Sequence, residues 1–86
     1  MINKTCAVIV TYNIGEKVLK TLASVAATVD YCIIVDNASS DNTVNIVRTY
    51  NAEHPHSSEL IEHPVNNLAR AQNLGIRRAR EKGYSW

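Results

Sequence analysis

The hydrophobic period of this chain switches back and forth along its length, and that switching most limits the folds open to it. "TCAVIVT", residues 5–11, is short, apolar and rich in β-branched side chains, the pattern of a strand buried on both faces. From Glu16 the spacing becomes three and four. Val18, Leu19, Leu22, Val25, Ala26 and Val29 share one helical face, with Lys17, Lys20 and Thr21 largely opposite. "YCIIVD" reads as a second buried strand, and Val44, Val47 and Tyr50 as a short amphipathic helix. Between them Ser39, Ser40 and Asp41 are candidates to cap the helix start. "NAEHPHSS" is a polar loop, and "ELIEHP" a weak third strand stopped by Pro64.

A last helix is expected from Leu68 to Lys82. Leu68, Ala71, Leu74, Gly75, Ile76 and Ala79 mark its apolar side, and Gly83 its stop. Its cations gather toward the C-terminal end, where the helix dipole favours them. "YSW" begins a possible fourth strand. Strand and helix in strict alternation predict an α/β fold, a Rossmann-like three-layer parallel sheet with right-handed crossovers.

With 86 residues the chain forms one domain at most. A net charge of +1 is too small to argue for nucleic acid or an anionic membrane. No apolar run reaches transmembrane length. "MINKTCAVIV" lacks the features of a signal peptide, so a cytoplasmic location is expected. Cys6 and Cys32 each open an apolar run and read as buried thiols rather than a redox pair; neighbouring strands would bring them close. His54, His56 and His63 read as solvated loop residues, since no carboxylate or thiol pattern completes a metal site.

In an open parallel sheet, ligands bind beyond the carboxyl ends of the strands. Two tracts fall there: Thr11, Tyr12 and Asn13 after the first strand, and Asp36 to Asn42 after the second. Together they suit a nucleoside. Asp36 can accept from a pyrimidine N3–H, Tyr12 can pack on the base, and Asn13 or Asn37 can reach base or ribose. Asp, Asn and Ser after a strand equally suit a plain loop and cap, which composition alone favours. No P-loop and no G-x-G-x-x-G is present, which argues against a standard ATP or NAD domain.

"AVIVTYN", "IIVDNASSDNT" and "NNLARAQNLGIRRAREKGYSW", in that order, resemble the N-terminal part of family 2 glycosyltransferases of the GT-A fold. "AQNLGI" most resembles the bacterial rhamnosyltransferase branch. The resemblance implies that residues 1–86 form the nucleotide-binding part of a GT-A domain, ending before the family's Asp-x-Asp strand. It implies that Thr11 and Tyr12 hold the base, that Asp36 bonds the pyrimidine, and that Arg70 and Asn73 reach the nucleotide or its diphosphate. The donor would be a dTDP- or UDP-sugar, with dTDP-rhamnose the one that "AQNLGI" points to, and the acceptor a saccharide or lipid-linked, with the parent protein cytoplasmic at the inner face of the membrane. A divalent metal, Mg or Mn, is expected only for a full-length parent, where it would stabilise the leaving group. No catalytic or metal-ligating residue is expected in this segment, which alone would be inactive. The alternative is a non-catalytic nucleotide-binding or structural fragment that self-associates, forming a homo-oligomer through an exposed sheet edge.

Overall fold

The computed structural model describes residues 4–84. The period switches become β1 (Cys6–Thr11), α1 (Lys17–Ala26), β2 (Tyr31–Asn37), α2 (Thr43–Glu53), β3 (Ser58–His63) and α3 (Leu68–Glu81). The strands form one parallel sheet in the order β1-β2-β3. Thr11 pairs with Asp36 and Asp36 with Glu62, so the carboxyl ends lie at one level. The expected α/β Rossmann-like arrangement is present.

Successive strand side chains point to opposite faces, so β2 feeds two cores. Cys32 and Ile34 pack with Val18, Leu22, Val47 and Tyr50 from α1 and α2. Ile33 and Val35 pack with Ala71 and Ala79 of α3 on the other face. Burial of both faces is why the β2 sequence is an unbroken apolar run.

Helix α3 comes close to the sheet because its inward row is small: Ala71, Gly75 and Ala79. A methyl group at Gly75 would overlap Val8 Cγ1 and lie 3.2 Å from Val35 Cγ2. The helix ends in a paired C-terminal turn. Gly83, at φ 96°, donates its N–H to the Arg80 carbonyl, and Tyr84 donates to that of Ala79. Tyr84 then stacks on Tyr31 at 6.0 Å. The Tyr31 hydroxyl donates to Glu59 at 2.7 Å, and Glu59 also pairs with Arg78 at 2.7 Å and Lys82 at 3.5 Å. This network fastens the last turns of α3 to the amino ends of β2 and β3.

Several expectations need correction. Helix α1 stops at Ala26, short of Val29, and Leu19 is exposed, because only the narrow stripe of Val18, Leu22 and Val25 meets the core. Leu68 is exposed as well: it opens α3 ahead of Ala71, the first buried residue of the inward row. His63 belongs to β3 rather than a loop, and His54 caps α2, its ring stacked on Tyr50 at 4.1 Å. The cysteines sit on adjacent strands but opposite faces, Cys6 toward α3 and Cys32 toward α1 and α2. Burial pushes the Cys32 thiol up to about 12. Of the possible fourth strand, Ser85 and Trp86 lie outside the described residues. Among the described residues, no helix is long and apolar enough to cross a membrane.

Candidate functional site

The loops after β1, β2 and β3 meet at the carboxyl edge, and short polar side chains weld them together. Asp36 is at the centre, with 2% of its surface exposed. Its Oδ1 accepts from Thr11 Oγ1 at 2.8 Å and from Ser39 Oγ at 2.6 Å, and its Oδ2 accepts from the Ser39 N–H at 2.8 Å. Local sequence makes this possible. Thr11 and Asp36 are register partners on the same face. Ala38 adopts φ 65°, a left-handed turn that brings Ser39 back over the carboxylate.

Asn13 ties the first loop to the second. It also sits at positive φ, 47°, a conformation that asparagine tolerates better than most residues. Its N–H donates to Ser39 Oγ at 2.9 Å, while its Oδ1 accepts from the N–H of Ser40 at 2.8 Å and of Asp41 at 3.3 Å. Behind it, the Gly15 N–H donates to Thr43 Oγ1 at 2.9 Å. Asp41 receives both the N–H and the hydroxyl of Thr43, and these bonds hold its carboxyl below the usual carboxylate range. The N-cap of α2 is Asn42, outside the three candidates, and makes no side-chain cap bond; Asp41, one residue ahead of it, accepts from the Thr43 N–H, and Ser39 is turned toward Asp36.

Asn37 points to the opposite face and anchors the third loop. Its Nδ2 donates to Asn66 Oδ1 at 3.1 Å, and its Oδ1 accepts from the Asn67 N–H at 2.8 Å. Asn67 in turn caps α3 by accepting from the Arg70 N–H at 3.0 Å.

The sheet divides the expected binding residues. Thr11, Tyr12, Asn13 and Asp36 cluster where β1 and β2 lead toward α1 and α2. Tyr12, next to Thr11 in the chain, is about half exposed. Arg70 and Asn73 instead line an open surface groove with His63, Leu74 and Arg77, where α3 runs beside the end of β3. Asn37 lies between the two groups.

Sequence reasoning missed Ser39 as the partner of Asp36, and Asn66–Asn67 as the anchor of the third loop. The pair of asparagines directly before a helical period was the available signal for the second. The first depended on the positive φ of Ala38, which an alanine does not announce.

The arrangement offers hydrogen bonds, an open ring and two guanidinium groups. Among the described residues, no three His, Cys, Asp or Glu side chains converge to hold a metal ion. Residues 6–86 match the family model described as Glycosyl transferase family 2. No curated protein and no solved structure matches the chain.

Proposed function

Because the chain belongs to glycosyl transferase family 2, we propose that its carboxyl edge recognises the nucleotide of a nucleotide-diphosphate sugar. The observation that carries this reading is the rigid rim around Asp36. Two loops that share no sequence are locked together by Thr11, Asn13 and Ser39, beside the exposed ring of Tyr12. A rim fixed before the ligand arrives loses little conformational entropy on binding. The Tyr12 ring supplies a stacking surface, and Asp36 Oδ2, which accepts only the Ser39 N–H, keeps acceptor capacity for a base N–H donor with the rim intact.

The base is a pyrimidine and the donor a dTDP- or UDP-sugar, with rhamnose the sugar favoured by the "AQNLGI" stretch. The acceptor is a saccharide or a lipid-linked glycan. Arg70 and Asn73 are assigned to the diphosphate end of the donor. Recognition is the role assigned to these residues, and no general base or metal ligand is assigned among them.

Titration calorimetry with dTDP and UDP tests this. Saturable binding is expected, weakened in Tyr12→Ala and in Asp36→Asn, and dTDP-rhamnose should compete for the same site. No heat with either nucleotide at millimolar concentration would refute the reading. A second reading, that the polar tract is purely structural, draws on the complete internal pairing of Asp36, Asn13 and Asn37. It requires Asp36→Asn to lower stability while no nucleotide binds.

A further inference from the structure

Consecutive residues of β2 serve opposite ends of the candidate site. Strand side chains alternate, so Asp36 enters the rim on the side of α1 and α2, and Asn37 enters the α3 side, as Ile33 and Val35 do. Asn37 is the register partner of His63, the last residue of β3, and so stands at the base of the loop that leads to α3. It is 4% exposed. Both ends of its amide are engaged: Nδ2 donates to Asn66 Oδ1, and Oδ1 accepts from the Asn67 N–H. The bonds continue into the helix, because Asn67 caps α3 through the Arg70 N–H. Among the described residues, no other side-chain hydrogen bond joins β2 to residues 64–67. The opposite end of α3 is held separately, by Glu59 to Arg78 and Lys82. Asn37 therefore fixes where the first turn of α3 stands relative to Asp36, its neighbour in the same strand.

We propose that Asn37 is a positioning residue that couples the rim at Asp36 to the α3 turn carrying Arg70 and Asn73, rather than a contact to base or ribose. The proposal rests on the reading above, in which the base meets the rim and the diphosphate meets Arg70 and Asn73. Two weak contacts to one ligand reinforce each other only when their spacing matches the ligand. Arg70 and Asn73 are exposed, so their reach is set by the backbone that carries them. That backbone is set by the Asn67 cap, and the cap by Asn37. An amide suits the task because it donates and accepts at once. Without it the Asn67 N–H loses its partner, and the first turn of α3 is free to shift away from the rim.

Amide ¹H–¹⁵N titrations with uridine and UDP, and in parallel with thymidine and dTDP, separate the two ends. The ratio of diphosphate to nucleoside affinity measures what the diphosphate adds. In the parent, the diphosphate should bind more tightly. Asn37→Ala should leave the nucleoside affinity within about twofold and lower the ratio about tenfold, the size of one charge-assisted hydrogen bond. Asn66→Ala removes one of the two Asn37 bonds from an exposed position where folding is not at stake, and should lower the ratio by about threefold. Should Asn37→Ala fail to fold, the Asn66→Ala ratio decides. Glu59→Gln loosens the far end of α3 and should leave the ratio unchanged. An unchanged ratio in Asn37→Ala and Asn66→Ala, or an equal loss of nucleoside and diphosphate, overturns the coupling while the base reading stands. Equal affinity of the parent for nucleoside and diphosphate overturns it through the diphosphate assignment. If the parent binds none of the four ligands, the reading of the rim fails and the coupling fails with it.

Discussion

Replacing Gly75 by alanine should destabilise the protein, although helix propensity alone says the reverse. In a helix interior, alanine is favoured over glycine by about 1 kcal/mol. Here the added methyl would overlap Val8 Cγ1, with Val8 Cβ at 3.3 Å and Val35 Cγ2 at 3.2 Å. Both neighbours are β-branched and stiff at χ1, so neither can swing clear. Val35 is fully buried on the central strand. Helix α3 must therefore lift from β1 and β2, opening the core formed by Ala71, Ala79, Ile33 and Val35. Overpacking of this kind costs about 3 kcal/mol at the upper end of its usual range. Set against the gain in propensity, the net loss is about 2 kcal/mol. Urea unfolding followed by circular dichroism measures it. With a slope of about 1 kcal/mol per molar for a small domain, the midpoint should fall by about 2 M. Val8→Ala makes room for the methyl, so the double variant should lose less than the two single losses added together, by about 1 kcal/mol. If Gly75→Ala is as stable as the parent, or more stable, the close approach of α3 to the sheet is wrong.

Three further outcomes are expected. Burial disfavours the charged form of Glu59, but hydrogen bonds from Arg78 and Tyr31 and the nearby cations outweigh it, so its carboxyl lies below the ordinary 4.5. A depressed carboxyl stabilises the fold above its unfolded value and loses that contribution as pH falls through the folded one. Glu59→Gln should therefore cost about 1 kcal/mol at neutral pH, discounted because Arg78 is partly solvated, and nothing near pH 2; unfolding midpoints at both pH values check this. The Cys32 thiol, pushed up to about 12, should resist iodoacetamide in the folded protein and react on unfolding, with mass spectrometry finding no Cys6–Cys32 disulfide after mild oxidation. Among the described residues β1 pairs on one side only and carries neither charge nor proline, so light scattering should show mass rising with concentration; a constant monomer mass would count against pairing at that edge.

The alternation of periods carried most of the fold, because burial on both faces leaves a strand no polar positions and an amphipathic helix leaves a visible stripe. The failures have a common cause. Leu19 and Leu68 satisfy the helical spacing, but spacing says nothing of how wide a stripe the neighbours can cover. On α3 the contact is made by Ala71, Gly75 and Ala79, whose small size rather than hydrophobicity sets the approach. At the candidate site, the residue types were legible and their connections were not. Asp36 marked itself by ending an apolar run. That its carboxylate is met by Thr11 follows from parallel register, and its bonds to Ser39 follow from a left-handed alanine. The division of Arg70 and Asn73 from Asp36 depends on which face each side chain takes, which three-dimensional topology alone decides.

The most direct test of the central claim is an amide ¹H–¹⁵N titration of the protein with dTDP and UDP. The account predicts saturable shifts at residues 11–13 and 36–41, where the two loops are joined, and at Arg70 and Asn73, assigned to the diphosphate, with attenuation at the loops in Tyr12→Ala. If those amides stay fixed at millimolar nucleotide while the rest of the spectrum shows a folded protein, the welded edge is structural and nucleotide recognition by this segment is refuted.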